Sequence, residues 1–142
     1  MKTEDLKKTA SFIHEHHVLS LATSDAQELS VCSLFYTFIE EELSFIVASS
    51  DDTTHIKHIK KNNNIAGNIL LETKKIGKIQ GVQFRGTMLE TEDREFKNAY
   101  FKSFPYALAL NPKLWQIKVN YFKMTDNTLG FGKKLIWQEA LV

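Results

Sequence analysis

Hydroxyl, acidic and basic side chains crowd into one stretch, Ser49–Asn64, SSDDTTHIKHIKKNNN. Ser49, Ser50, Thr53 and Thr54 supply hydroxyls, and His55 and Lys57 supply positive charge, where an apolar segment gives way to a short basic helix. The first N–H groups of a helix have no partner inside it, so a helix start with hydroxyls and cations suits a phosphate monoester. A plain capping role for Asp51, Asp52 or Thr53 explains the same residues, and the adjacent acids fit a cap better than an acid–base pair.

The other chemistry-bearing residues point to less. His14, His16 and His17 crowd a helix end, but HEHHV has Val18 where the zincin pattern H-E-x-x-H needs histidine. A solvated helix terminus is expected there. His55 and His58 stand three apart on a helix, yet a third ligand would have to come from the distant N-terminal cluster, so no metal site is expected. Cys32 has no basic neighbour in sequence and reads as a structural thiol. Gly130-Phe131-Gly132 lacks the third glycine of a dinucleotide fingerprint, and Gly81 and Gly86 bracket no G-K-[ST]. No side chain stands out as a catalytic acid or base.

The elements that must position these residues follow from periodicity. At 142 residues the chain fits a single domain, 1–142. Thr3–His16 reads as an amphipathic helix with Leu6, Ala10, Ile13 and His17 on one face. Strands are expected at Val18–Ser24, Leu29–Ile39, Leu43–Ala48, Ile65–Glu72, Ile79–Leu89, Trp115–Thr125 and Leu135–Leu141. In Trp115–Thr125 the alternation slips at Phe122 and Met124, which predicts a bulge. A helix after Ser49–Thr53 turns Ile56 and Ile59 inward, and another over Thr91–Phe104 is capped by Thr91. The sum is an α+β fold: a small antiparallel barrel of six to seven strands with two to three peripheral helices.

Composition bounds the partners. Lys+Arg of 18 against Asp+Glu of 17 leaves a net charge of +1, so no global field recruits nucleic acid or acidic lipid. The single cysteine permits no intramolecular disulfide and fits a reducing compartment. MKTEDLKK lacks the apolar segment of a signal peptide, and no apolar run reaches membrane-spanning length, so a cytoplasmic location is expected. Ten Phe on a partial barrel predict an apolar face that a second copy covers.

The motifs VCSLFYTF, FIVASSDDTTHIKHIKKNNNIAGNI, GVQFRG, YFKSFP and GFGKKLIW, in this order and spacing, resemble the pyridoxamine 5'-phosphate oxidase-like FMN-binding split barrels over nearly the whole chain. Within that family the resemblance is to small bacterial proteins of unassigned activity. It implies a split-barrel homodimer with FMN at the subunit interface and an oxidoreductase acting on a small molecule. By the same resemblance the isoalloxazine ring lies against the backbone of Val31, Cys32, Ser33, Leu34 and Phe35. Ala48 and Ser49 end the next strand, and Thr53, Thr54 and His55 match the Ser-Arg-Lys phosphate clamp. Thr54 and His55 depart from the usual arginine and lysine. The family's glutamine falls on Gly81, with Gln80 or Gln83 as substitutes. The substrate-holding arginines of true pyridoxamine phosphate oxidases have no counterpart in NTLGFGKKLIWQEALV, which argues against vitamin B6 oxidation. A flavin-binding module without turnover and a haem-binding or haem-degrading split barrel are the alternatives.

Overall fold

The structure, a computed structural model, describes residues 3–140. Helix α1 (Glu4–Glu15) begins where Thr3 Oγ1 accepts a hydrogen bond from the Leu6 N–H at 3.1 Å, with Glu4 and Asp5 at its positive end. It ends before the expected boundary because His16 is already extended. Its buried face is Leu6, Thr9, Ala10, Phe12 and Ile13, while His17 lies outside the helix and is exposed.

Strands β1 (Val18–Ser24) and β2 (Leu29–Phe35) form a hairpin in register from Val18–Phe35 to Ser24–Leu29. The expected single strand Leu29–Ile39 breaks at Tyr36, and β3 (Thr37–Ile39) pairs instead with β4 (Ser44–Ala48). The break is a change of neighbour. The Tyr36 N–H donates to the His17 carbonyl at 3.0 Å and its hydroxyl donates to the Ile13 carbonyl at 2.6 Å, pinning the crossover to the end of α1.

Helix α2 (Thr54–Lys61), β5 (Asn64–Leu70), β6 (Gln80–Thr91), α3 (Arg94–Ser103), β7 (Leu114–Asp126) and β8 (Lys134–Gln138) complete the chain. The sheet order β2-β1-β5-β6-β7-β4-β3 is antiparallel throughout, and its two ends are consecutive in sequence, so the sheet curls into a split barrel. β8 adds to β7, which brings the total to eight strands. Leu141 of the expected last strand lies outside the described residues. Helix α3 is capped by Asp93, not Thr91: β6 runs on through Thr91, and the Asp93 carboxylate accepts the Phe96 N–H at 3.0 Å.

The bulge falls where the phase slip put it. The β6–β7 register passes from Arg85–Tyr121 to Gly86–Val119, leaving Asn120 without a partner on β6 and turning both Val119 and Phe122 inward. Glycine is required opposite it, since a Cβ on Gly86 would collide with the Lys118 carbonyl oxygen. The barrel is filled by Phe45, Phe84 and Phe122 with Leu19, Leu21, Met88 and Ile117, and Ile13 of α1 and Ile56 of α2 enter the same core. The Phe45 and Phe84 rings lie 4.8 Å apart. No helix among the described residues is long and apolar enough to cross a membrane.

Candidate functional site

Strand alternation sends every second side chain of β1, β2, β5, β6 and β7 to the outer face of the sheet. Register aligns them in two rows. One runs Val31–Ala22–Ala66–Arg85–Tyr121 and the other Ser33–Ser20–Asn68–Gln83–Lys123. Because Ala22, Ala66 and Ser20 are short, the middle of the two rows is low. An open groove of about 400 Å³ results, walled by Val31 on one side and by Arg85 and Tyr121 on the other. The Arg85 guanidinium sits 4.0 Å from the centre of the Tyr121 ring, a cation–π contact that holds it against the wall. Asn68 and Gln83 present side-chain amides along the same edge.

The β4–α2 junction is built differently. The Ser49 N–H donates to the Lys113 carbonyl at 3.1 Å and the Ser49 carbonyl accepts from Trp115 Nε1 at 2.8 Å, which fixes the strand end. Thr53 is the cap: its hydroxyl oxygen accepts from the Ile56 N–H at 3.4 Å, and the hydroxyl donates to the Ser50 carbonyl at 2.9 Å. Ser50 donates to Asp52 at 2.6 Å. Asp51 lies between Lys60 at 2.8 Å and Lys113 at 2.7 Å, and these cations hold its carboxyl below the usual range. The Ser49 hydroxyl is hydrogen-bonded to His55 Nε2. His55 is 9% exposed, and burial, with a smaller push from His58, lowers its pKa. Both effects disfavour the charged imidazole, and the ring spends Nε2 on a hydrogen bond within the chain. Thr54, in contrast, is exposed at the first turn of α2, and Lys57 faces solvent one turn on.

The residues singled out in sequence thus divide. Val31 and Gln83 line the groove, and Ser33 shares its outer rows. Cys32 and Leu34 turn inward against the core, where burial pushes the Cys32 thiol up in pKa. Ala48, Ser49, Thr53, Thr54 and His55 collect at the junction. Of the two glutamines, Gln80 donates to Asp126 at 3.2 Å, which leaves Gln83 as the one facing the groove. Arg85, Asn68 and Tyr121 were missed in sequence. The alternation of Gln83 and Arg85 in GVQFRG was a usable signal for Arg85, since it places both on one face.

The N-terminal histidines line a separate pocket of about 290 Å³ with Tyr36, Phe38 and Phe104. His14 pairs with Glu40 at 3.0 Å, and the His16 ring packs 4.2 Å from that of Phe12.

Searched against models of protein families, the chain matches none. Among curated proteins it is 34% identical over 139 residues to a UPF0306 protein of Photorhabdus laumondii, covering 96% of this chain and 97% of the relative. Among solved structures it superposes on a heme binding protein from Mycobacterium smegmatis with a TM-score of 0.80 at 13% identity, covering 97% of this chain and 59% of that one. It also superposes on a FAD-binding protein from Mesorhizobium loti with a TM-score of 0.71 at 11% identity, covering 83% and 90%. At these identities the structural likeness speaks for the shared split-barrel fold. The likeness to the Photorhabdus protein extends over nearly the whole of both chains, and by it the chain belongs to the UPF0306 family.

Proposed function

We propose that this protein is an FMN-binding flavoprotein that works as a homodimer and oxidises or reduces a small molecule. The groove carries the reading. Its low floor of Ala22, Ala66 and Ser20 admits a flat ring system, and Asn68, Gln83 and Arg85 set hydrogen-bonding groups along one edge. An isoalloxazine ring has those needs: apolar faces to cover and a polar edge to satisfy. The phosphate is assigned to the start of α2, where the exposed Thr54 hydroxyl, first-turn N–H groups and Lys57 remain available. The groove is open on its outer side, and Val31 at 72%, Phe35 at 59% and Leu70 at 58% exposure border it with apolar surface. A second copy is the proposed cover.

When bound, FMN supplies the electron or hydride chemistry. The chain's part is to seat the ring, orient it through Gln83 and Arg85, and exclude water by dimerisation. The FAD-binding neighbour supports a flavin in this fold. Haem is the second reading, favoured by the haem-binding neighbour and by the imidazoles of the α1 pocket. Neither histidine nor cysteine lines the groove, and a pocket of 290 Å³ sits at the small end for a cofactor.

Absorption spectroscopy and mass spectrometry of the purified protein, with light scattering, test the proposal. Flavin bands, an FMN mass and twice the 16.3 kDa chain mass are expected. A Soret band without flavin, or a monomer unchanged by added FMN, overturns it. Reduction by NAD(P)H and reoxidation by an acceptor separate an oxidoreductase from a flavin carrier. Pyridoxamine phosphate should give no product above a free-FMN control.

A further inference from the structure

His58 belongs to neither region. It lies on the inward side of α2 and is 2% exposed. Its Nδ1 meets Thr23 Oγ1 at 2.9 Å, while its Nε2 meets Glu28 Oε1 at 2.9 Å and Asp25 Oδ2 at 3.8 Å. One nitrogen and two carboxylate oxygens therefore converge, all within 4.8 Å of one another. They come from two elements, the β1–β2 turn and α2. The turn itself is fixed: Asp25 Oδ1 accepts the N–H groups of Gln27 at 2.8 Å and Glu28 at 2.9 Å, which leaves Oδ2 aimed at the imidazole.

We propose that Asp25, Glu28 and His58 bind one divalent transition-metal ion, zinc by preference, which ties the β1–β2 turn to α2. The donor set carries the choice of ion. An imidazole nitrogen with two carboxylates suits zinc and its first-row neighbours, whereas calcium and magnesium favour all-oxygen sets. The spacing agrees. Ligands about 2.0–2.1 Å from a tetrahedral zinc stand roughly 3.4 Å apart. The contacts at 2.9 and 3.8 Å bracket that separation.

Charge and the Thr23 contact behind the imidazole point the same way. Two carboxylates balance a dication beside a neutral imidazole. With Nδ1–H donated to Thr23, itself 3% exposed, the lone pair on Nε2 faces two anions, and a cation between them removes the repulsion. The Glu28 side chain is 60% exposed, so a water or exogenous ligand can complete the coordination. The rival arrangement places a proton on Nε2 and donates it to Glu28, with no metal.

Titration of the metal-free full-length protein with Zn²⁺ against a chromophoric chelator, with thermal unfolding in parallel, tests the proposal. One ion per chain and a zinc-dependent rise in Tm are expected. Glu28→Gln and Asp25→Asn should each weaken zinc by about 10- to 100-fold and abolish the rise. Both positions lie on the surface turn, and Glu28→Gln keeps shape and exposure, so the fold survives the test. Replacing His14, His16 and His17 together by Gln should leave the affinity unchanged. The proposal is overturned if wild type binds no zinc below millimolar concentration, as the proton-bridged arrangement predicts. Undiminished affinity in Glu28→Gln, or its loss in the triple histidine variant, overturns it equally.

Discussion

At the β4–α2 junction the polar side chains are mostly engaged within the chain: Ser49 with His55, Ser50 with Asp52, Thr53 with Ser50 and Ile56, and Asp51 between two lysines. On the outer rows of β1, β5 and β6 the side chains of Ser20, Asn68 and Gln83 have no hydrogen-bond partner among the described residues, and Arg85 rests on an aromatic ring. Both regions are polar, but one has satisfied itself and the other faces a hollow. Capacity to take a ligand follows from groups left unsatisfied beside a small-residue floor more than from the density of hydroxyls. At the junction that capacity narrows to the exposed Thr54 and the free N–H groups of the first turn.

The two regions should therefore respond differently to substitution. The largest effect is expected from Ala66→Phe, which fills the groove from an outward-facing position. FMN and riboflavin should both weaken by roughly a hundredfold or more with little change in Tm, as read by fluorescence titration. Unchanged binding would move the ring out of the groove. Arg85→Ala removes a charge-assisted contact worth about 1.5–3 kcal/mol, so both flavins should weaken by about ten- to a hundredfold. A loss confined to FMN would instead make Arg85 the phosphate anchor.

Thr53→Ala removes the cap of α2 and should cost about 0.5–2 kcal/mol in denaturant unfolding, with the two flavins affected alike. The smallest effect concerns pH. His55 has a lowered pKa in the fold, so the unfolded chain binds the extra proton more readily. Stability should hold above the ordinary histidine value and fall as pH drops below about 6.5, by at most about 1.4 kcal/mol per pH unit for one proton. His55→Gln should flatten that slope in unfolding curves at pH 5.5–7.5.

The fold was largely legible because alternation and caps are local. Val18–Ser24 appears as expected, and the slip at Phe122 and Met124 located the Asn120 bulge. The break at Tyr36 was not legible, because it reflects which strand lies alongside and not any turn residue in LFYTF. The cap of α3 moved to Asp93 because pairing with Leu114 holds Thr91 in β6. Of the site, the residues at the junction share one stretch of sequence and were visible together. The groove was visible only in part, since Ala22, Ala66 and Arg85 become neighbours through register alone. The convergence of His58 with Asp25 and Glu28 arises in the same way, across about thirty residues of chain.

The central claim, that FMN is held by its phosphate at the start of α2, is tested most directly by Thr54→Glu. A carboxylate in the first helical turn favours the helix, so the fold should be unharmed or slightly stabilised, yet the same charge repels a phosphate. The dissociation constant of FMN should rise about a hundredfold while that of riboflavin stays within about twofold. Equal effects on the two flavins, or no preference for FMN over riboflavin in the unaltered protein, would contradict it.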